Sequence, residues 1–168
     1  METNLEYILT HYSKADMIAH IKSHPEKFEE LVTLAISDKQ PFSWRAAWLL
    51  WSCMEKNDQR IHKYLDKIIN TIPSKPDNQV REFLIILQQI ELSDHEESRL
   101  FDLCINIWKK TDKQASVRYN AFKLMIMIAQ KHAGLLGEIT LLTESQYTDS
   151  LSNNAKKSIL KMVTEIEK

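Results

Sequence analysis

Glycine is scarce in this chain. Gly134 and Gly137 are the only two in 168 residues, where average usage would give about twelve. That excludes glycine-rich phosphate loops, dinucleotide fingerprints and most turn-rich all-β folds, which need glycine where the backbone turns tightly or meets a ligand. Cysteine is nearly absent too: Cys53 and Cys104 both lie inside apolar runs, so they read as buried thiols of a reducing compartment rather than a bridge. The longest apolar runs, Ala46–Trp51 and Leu124–Ala129, are six residues each, against roughly twenty to cross a bilayer. Met1-Glu2-Thr3-Asn4-Leu5-Glu6 lacks the basic start of a secretory signal. The expectation is a soluble cytoplasmic protein without membrane association. Charge of one sign is missing as well: 22 Lys and Arg face 23 Asp and Glu, with a pI near 6.6. A nucleic-acid binder usually carries a basic domain or stripe, so the balance argues against one while leaving room for a locally basic face.

Helical periodicity is abundant. Phe28, Leu31, Val32, Ala35 and Ile36 fall on one helical stripe, as do Ile61, Leu65, Ile68, Ile69 and Ile72, and again Leu100, Leu103, Cys104 and Ile107. The segments Trp44–Met54, Val80–Ile90 and Val117–Ala129 are apolar around most of their circumference, which suits helices packed on two sides. Ser23-His24-Pro25-Glu26 and Ser93-Asp94-His95-Glu96 read as capping boxes, and Thr111-Asp112-Lys113-Gln114 as a weaker one. Pro41 suits a helix start, while Pro73 and Pro76 bracket a turn. The pattern predicts ten helices, near 3–11, 14–23, 25–37, 42–56, 59–72, 78–91, 94–110, 115–132, 135–145 and 152–166. Their short connections make consecutive helices antiparallel.

The broadly apolar helices open on a recurring pair: Trp44-Arg45, Val80-Arg81, Val117-Arg118 and, more loosely, Ala155-Lys156. The basic residues are spaced by 36, 37 and 38. Apolar positions follow three and six residues later, at Trp48, Leu84 and Ala121 and at Trp51, Leu87 and Leu124. Helix pairs at such a period form solenoids, because one pair cannot bury its own apolar face and stacking completes the core. Asp112-Lys113-Gln114-Ala115-Ser116-Val117-Arg118 has the order aspartate, four residues, Val-Arg, and on this run the chain resembles the HEAT and armadillo repeat superfamily. In the other units Lys39 and Lys75 stand where that aspartate would be. The resemblance covers about 25–166, with 3–23 as an N-terminal cap pair. It implies an all-α fold, a right-handed superhelix of about five antiparallel pairs in a single domain over 1–168, with units 25–56, 59–91, 94–132 and 135–166. The second helices of the pairs would line its concave side.

No reaction chemistry emerges. His20 and His24 share a helix face, but no carboxylate pattern completes a metal set and Pro25 ends the helix there; no metal or cofactor is expected. His11, His62, His95 and His132 stand near helix ends, where His132 complements the helix dipole. The pairs Glu29-Glu30 and Glu96-Glu97 read as solvated faces. The expected function is therefore a non-catalytic scaffold or adaptor that takes a protein or peptide in its concave groove. Arg45, Arg81 and Arg118 would be its charge contacts and Trp48 or Trp51 its anchor. The alternative role for those arginines is to bond the inter-helix turns and stack on the adjacent unit. Trp44, Trp48, Trp51 and Trp108 likewise suit gap-filling in the core. DNA alkylation-repair glycosylases are HEAT-like too, and similarity to them implies Trp48 or Trp51 with Arg81 and Arg118 around a damaged nucleotide. Against this, the chain is shorter than those enzymes and no catalytic aspartate aligns. The charged last helix, with Lys156, Lys157, Lys161, Glu165, Glu167 and Lys168, suits a capped end and a monomer.

Overall fold

The apolar stripes fold into helices and nothing else: the computed structural model describes residues 1–168, with eleven α-helices and no strand. In chain order they are α1 Asn4–His11, α2 Lys14–Ser23, α3 Phe28–Ile36, α4 Phe42–Cys53, α5 Leu65–Thr71, α6 Asp77–Gln88, α7 Asp94–Lys109, α8 Ala115–Ala129, α9 Leu136–Leu141, α10 Ser145–Thr148 and α11 Asn153–Glu167. Three expected helices differ: the one expected over 25–37 opens as a 3-10 turn, Pro25–Lys27, before α3. The segment expected over 59–72 begins as a 3-10 run, Gln59–Tyr64, before α5 takes over. The helix expected over 135–145 breaks into α9 and α10 at Leu142–Glu144.

The helix starts show which capping signals operate. Ser93 and Glu96 form a reciprocal capping box on α7, as their spacing predicts, and Thr3 with Glu6 forms another on α1. Ser13 and Ser152 cap α2 and α11. Ser23 is not an N-cap, because it is the last residue of α2. The Thr111 box does not form either: α8 starts after Gln114, which makes no side-chain cap bond.

The chain divides into two compact units, Met1–Glu91 and Leu92–Lys168. In the first, α3 and α4 form a tightly packed hairpin, and α4 also packs on α1, α2 and α6. Leu31, Val32, Ala35, Ala46, Ala47, Leu49 and Leu50 are fully buried there. Each large aliphatic side chain so buried contributes about 1.5–3 kcal/mol. In the second, α7 and α8 form the hairpin, and α8 also packs on α9 and α11. Both cysteines are free and buried. Burial pushes the Cys53 thiol up to about 11 and the Cys104 thiol up as well. No helix is long and apolar enough to cross a membrane.

Candidate functional site

On α4 the buried residues Ala46, Ala47, Leu49, Leu50 and Cys53 take one side, and Trp44, Arg45, Trp48, Trp51 and Ser52 form a half-buried stripe on the other. On α6, Asn78, Arg81, Ile85 and Gln88 form a second half-buried stripe. Helical spacing generates both, since residues three and four apart share a face.

The two stripes are joined through a buried carboxylate. Glu82, 1% exposed, accepts from the Trp51 Nε1–H at 2.6 Å on Oε2. Its Oε1 accepts from Arg81 Nε and Nη2 at 3.0 and 2.6 Å. A buried carboxylate is costly unless it is paired and hydrogen-bonded; here both oxygens have donors. The Arg81 side chain keeps a third of its surface in solvent, so its charge also faces outward. The Trp48 ring meets Trp51 edge-on with centroids 6.1 Å apart. Lys14 of α2 places Nζ 5.4 Å from the Trp48 centroid, in cation–π range. A continuous run thus crosses three helices of the first unit: Lys14, Trp48, Trp51, Glu82, Arg81.

The other two candidate arginines do different work. Helix C-termini leave carbonyls without intrahelical donors, and several of these are met by a side chain from a second helix. Arg45 Nη1 donates to Leu9 O near the end of α1 at 3.0 Å, while its guanidinium lies 5.5 Å from the Trp44 ring. Gln79, fully buried, donates through Nε2 to Ala35 O near the end of α3 at 2.7 Å. Arg118 Nε donates to Trp108 O near the end of α7 at 2.9 Å. Arg118 also donates to Tyr147 O and Ser150 Oγ, and lies over the Trp108 ring at 4.5 Å. It is 1% exposed, and burial pushes its guanidinium below the ordinary arginine range. Arg118 is therefore not available as a charge contact, a correction to the expected site: it holds its own unit together. Arg45 has one donor committed to the fold, and of the three only Arg81 joins Trp48 and Trp51 in one cluster.

Two members of the cluster escaped sequence reasoning. Glu82 left a faint signal, a carboxylate among the inward positions Gln79, Phe83 and Ile86 of α6. Lys14 left none. Glu97 was expected on a solvated face but is 3% exposed. It accepts from Lys131 Nζ and pairs with His132 Nε2, both at 2.6 Å. Trp108 is core: fully buried, packed on Phe122 and donating to Leu142 O at 2.8 Å.

Against known proteins, residues 1–166 match the family described as HEAT repeat domain. No curated protein matches the chain, and no solved structure does.

Proposed function

The chain belongs to the HEAT repeat family, and from that premise we propose that it is a non-catalytic scaffold holding a segment of a partner protein against the α4–α6 face of its first unit. The observation that carries this is the run Lys14, Trp48, Trp51, Glu82, Arg81. Partly exposed indoles offer an apolar surface for an apolar or aromatic side chain to pack on, and the flanking cations suit carboxylates. Glu82 pins Trp51 and Arg81 before any ligand arrives, which lowers the ordering cost of binding. The cluster's one carboxylate is fully engaged by these donors, which favours binding over acid–base chemistry. In this reading the helix pairs stack as a right-handed superhelix of about five, with the second helices lining its inner wall. The protein acts as a cytoplasmic monomer. The spacing of 36–38 residues between the recurring basic positions supports the stacking.

Selection of displayed peptides on the folded chain tests the proposal. Binders should be enriched in Asp and Glu around an aromatic or large apolar residue. Trp48→Ala should weaken them at least tenfold while leaving a folded chain with an unchanged helical circular-dichroism spectrum, its melting temperature lowered by the lost contacts with Trp51 and Lys14. Binders indifferent to Trp48→Ala would refute it.

A second reading, binding of nucleic acid, is favoured by the same cations beside the same indoles, since bases stack on aromatics while Lys and Arg hold phosphates. Its signature is a mobility shift of DNA that disappears as salt rises and depends on Lys14 and Arg81.

A further inference from the structure

Glu97 has a counterpart in the first unit. Glu29 of α3 accepts from Lys63 and from the Tyr64 hydroxyl, 34 and 35 residues on. Glu97 of α7 pairs with Lys131 and His132, again 34 and 35 residues on. The two sets are 68 positions apart throughout, and Glu26 corresponds in the same register to Asp94. The environment changes between them. The Glu29 side chain is 69% exposed, whereas that of Glu97 is 4% exposed. The tyrosine hydroxyl, a poor ligand when protonated, is replaced by an imidazole. Asp94 and Glu97 share one face of the first turn of α7, and with His132 their ligand atoms all lie within 4.8 Å of one another. A cleft of about 510 Å³ opens beside them, walled by Phe101, Ile128 and Leu135 and edged by Asp102 and Glu138.

We propose that Asp94, Glu97 and His132 bind a divalent transition-metal ion of the zinc type at the head of this cleft. Zinc takes nitrogen and carboxylate oxygen at about 2.0–2.2 Å, which sets tetrahedral donors roughly 3.4 Å apart: the exposed Asp94 must swing inward, and His132 Nε2 and Glu97 Oε2, 2.6 Å apart without the ion, must open to admit it. The ion takes the place of the His132 Nε2–Glu97 Oε2 hydrogen bond; the ring binds it through Nε2 and carries its one proton on Nδ1, so a ring that was neutral only changes tautomer and one that was doubly protonated releases a proton to solvent. Glu97 Oε1 stays on Lys131 Nζ, which orients the carboxylate as an outer partner. Three protein ligands leave a coordination position open toward the cleft. Magnesium and calcium, which favour all-oxygen shells with more ligands, fit this set poorly.

Titration of the chelator-treated full chain with zinc chloride, followed by calorimetry and thermal melting, tests the site. One ion should bind per chain and raise the melting temperature by roughly 5–10 °C at a hundredfold excess over Kd, while magnesium should raise it by less than about 1 °C. The decisive variant is His132→Tyr, which installs the residue that Tyr64 shows can hold such a carboxylate. It should melt like the wild type without zinc and bind zinc at least a hundredfold more weakly. Asp94→Asn should weaken binding about 10–100-fold. The stacked and exposed pair His20 and His24, with ring centroids 4.2 Å apart, is the competing chelate, and His20→Ala/His24→Ala should bind zinc unchanged. Absence of binding to the wild type, retention in His132→Tyr, or loss in His20→Ala/His24→Ala would overturn the proposal.

Discussion

Replacing Arg118 by Ala is the sharpest probe of what the recurring arginines do. The change deprives Trp108 O and Tyr147 O of their donors, at about 1–3 kcal/mol for each buried carbonyl. Loss of the packed stem adds about 2 kcal/mol at roughly 0.8 kcal/mol per methylene. Removing a cation buried against two carbonyls and a hydroxyl returns several kcal/mol of desolvation. The net destabilisation is about 3 kcal/mol, or roughly 6–12 °C in melting temperature for a chain of this length. Arg45→Ala exposes a single carbonyl, Leu9 O, from a half-buried site, and should cost about 1–2 kcal/mol. Arg118→Lys keeps the charge but loses the fork that reaches two carbonyls at once, so it should recover less than half of the loss. Urea unfolding followed by circular dichroism and tryptophan fluorescence measures all three. An Arg118→Ala protein within about 1 kcal/mol of wild type, or an Arg118→Lys protein equal to it, would refute this assignment.

Three further outcomes are expected. Asp58, 5% exposed, is held below the usual carboxylate range by hydrogen bonds from the Arg60 side chain, which oppose the upward push of burial with smaller help from the backbone N–H groups of Arg60 and Glu55. In acid the unfolded chain therefore binds the extra proton, and the contribution present above about pH 4 is lost as pH falls through the lower folded value. Asp58→Asn should flatten that part of the stability–pH curve and cost about 2 kcal/mol at neutral pH; an unchanged acid slope would count against it. Trp108→Phe removes the donor to Leu142 O and should cost about 2–3 kcal/mol by urea unfolding, so a neutral effect would argue that the indole bond is dispensable. With a disulfide-exchange reagent at pH 8, Cys53 and Cys104 should stay inert in the native chain and both titrate after denaturation; rapid native reaction of Cys104 would contradict its burial.

Local chemistry was legible in the sequence where one element decides it alone. The stripe of α3, the Ser93 box and the break at Pro73–Pro76 all act within a few residues. The Thr111 box failed because Lys110–Gln114 is used as a turn, so α8 begins one helical turn further on than a box would place it. The three arginines show the larger limit. They sit at matched positions in matched helices, yet Arg81 turns to an adjacent carboxylate while Arg45 and Arg118 reach carbonyls of other helices. Which of these happens depends on neighbours that local sequence does not display. The same holds for Glu82 and Glu97, whose burial depends on partners 31 to 35 residues away.

The indole N–H resonances of the four tryptophans give the most direct test of where a partner binds. When a selected acidic peptide is titrated in, the Trp48 and Trp51 signals should shift, and the Trp108 signal, locked on Leu142 O inside the second unit, should stay still. Movement of Trp108 with Trp48 and Trp51 unchanged would contradict the assignment of the α4–α6 face.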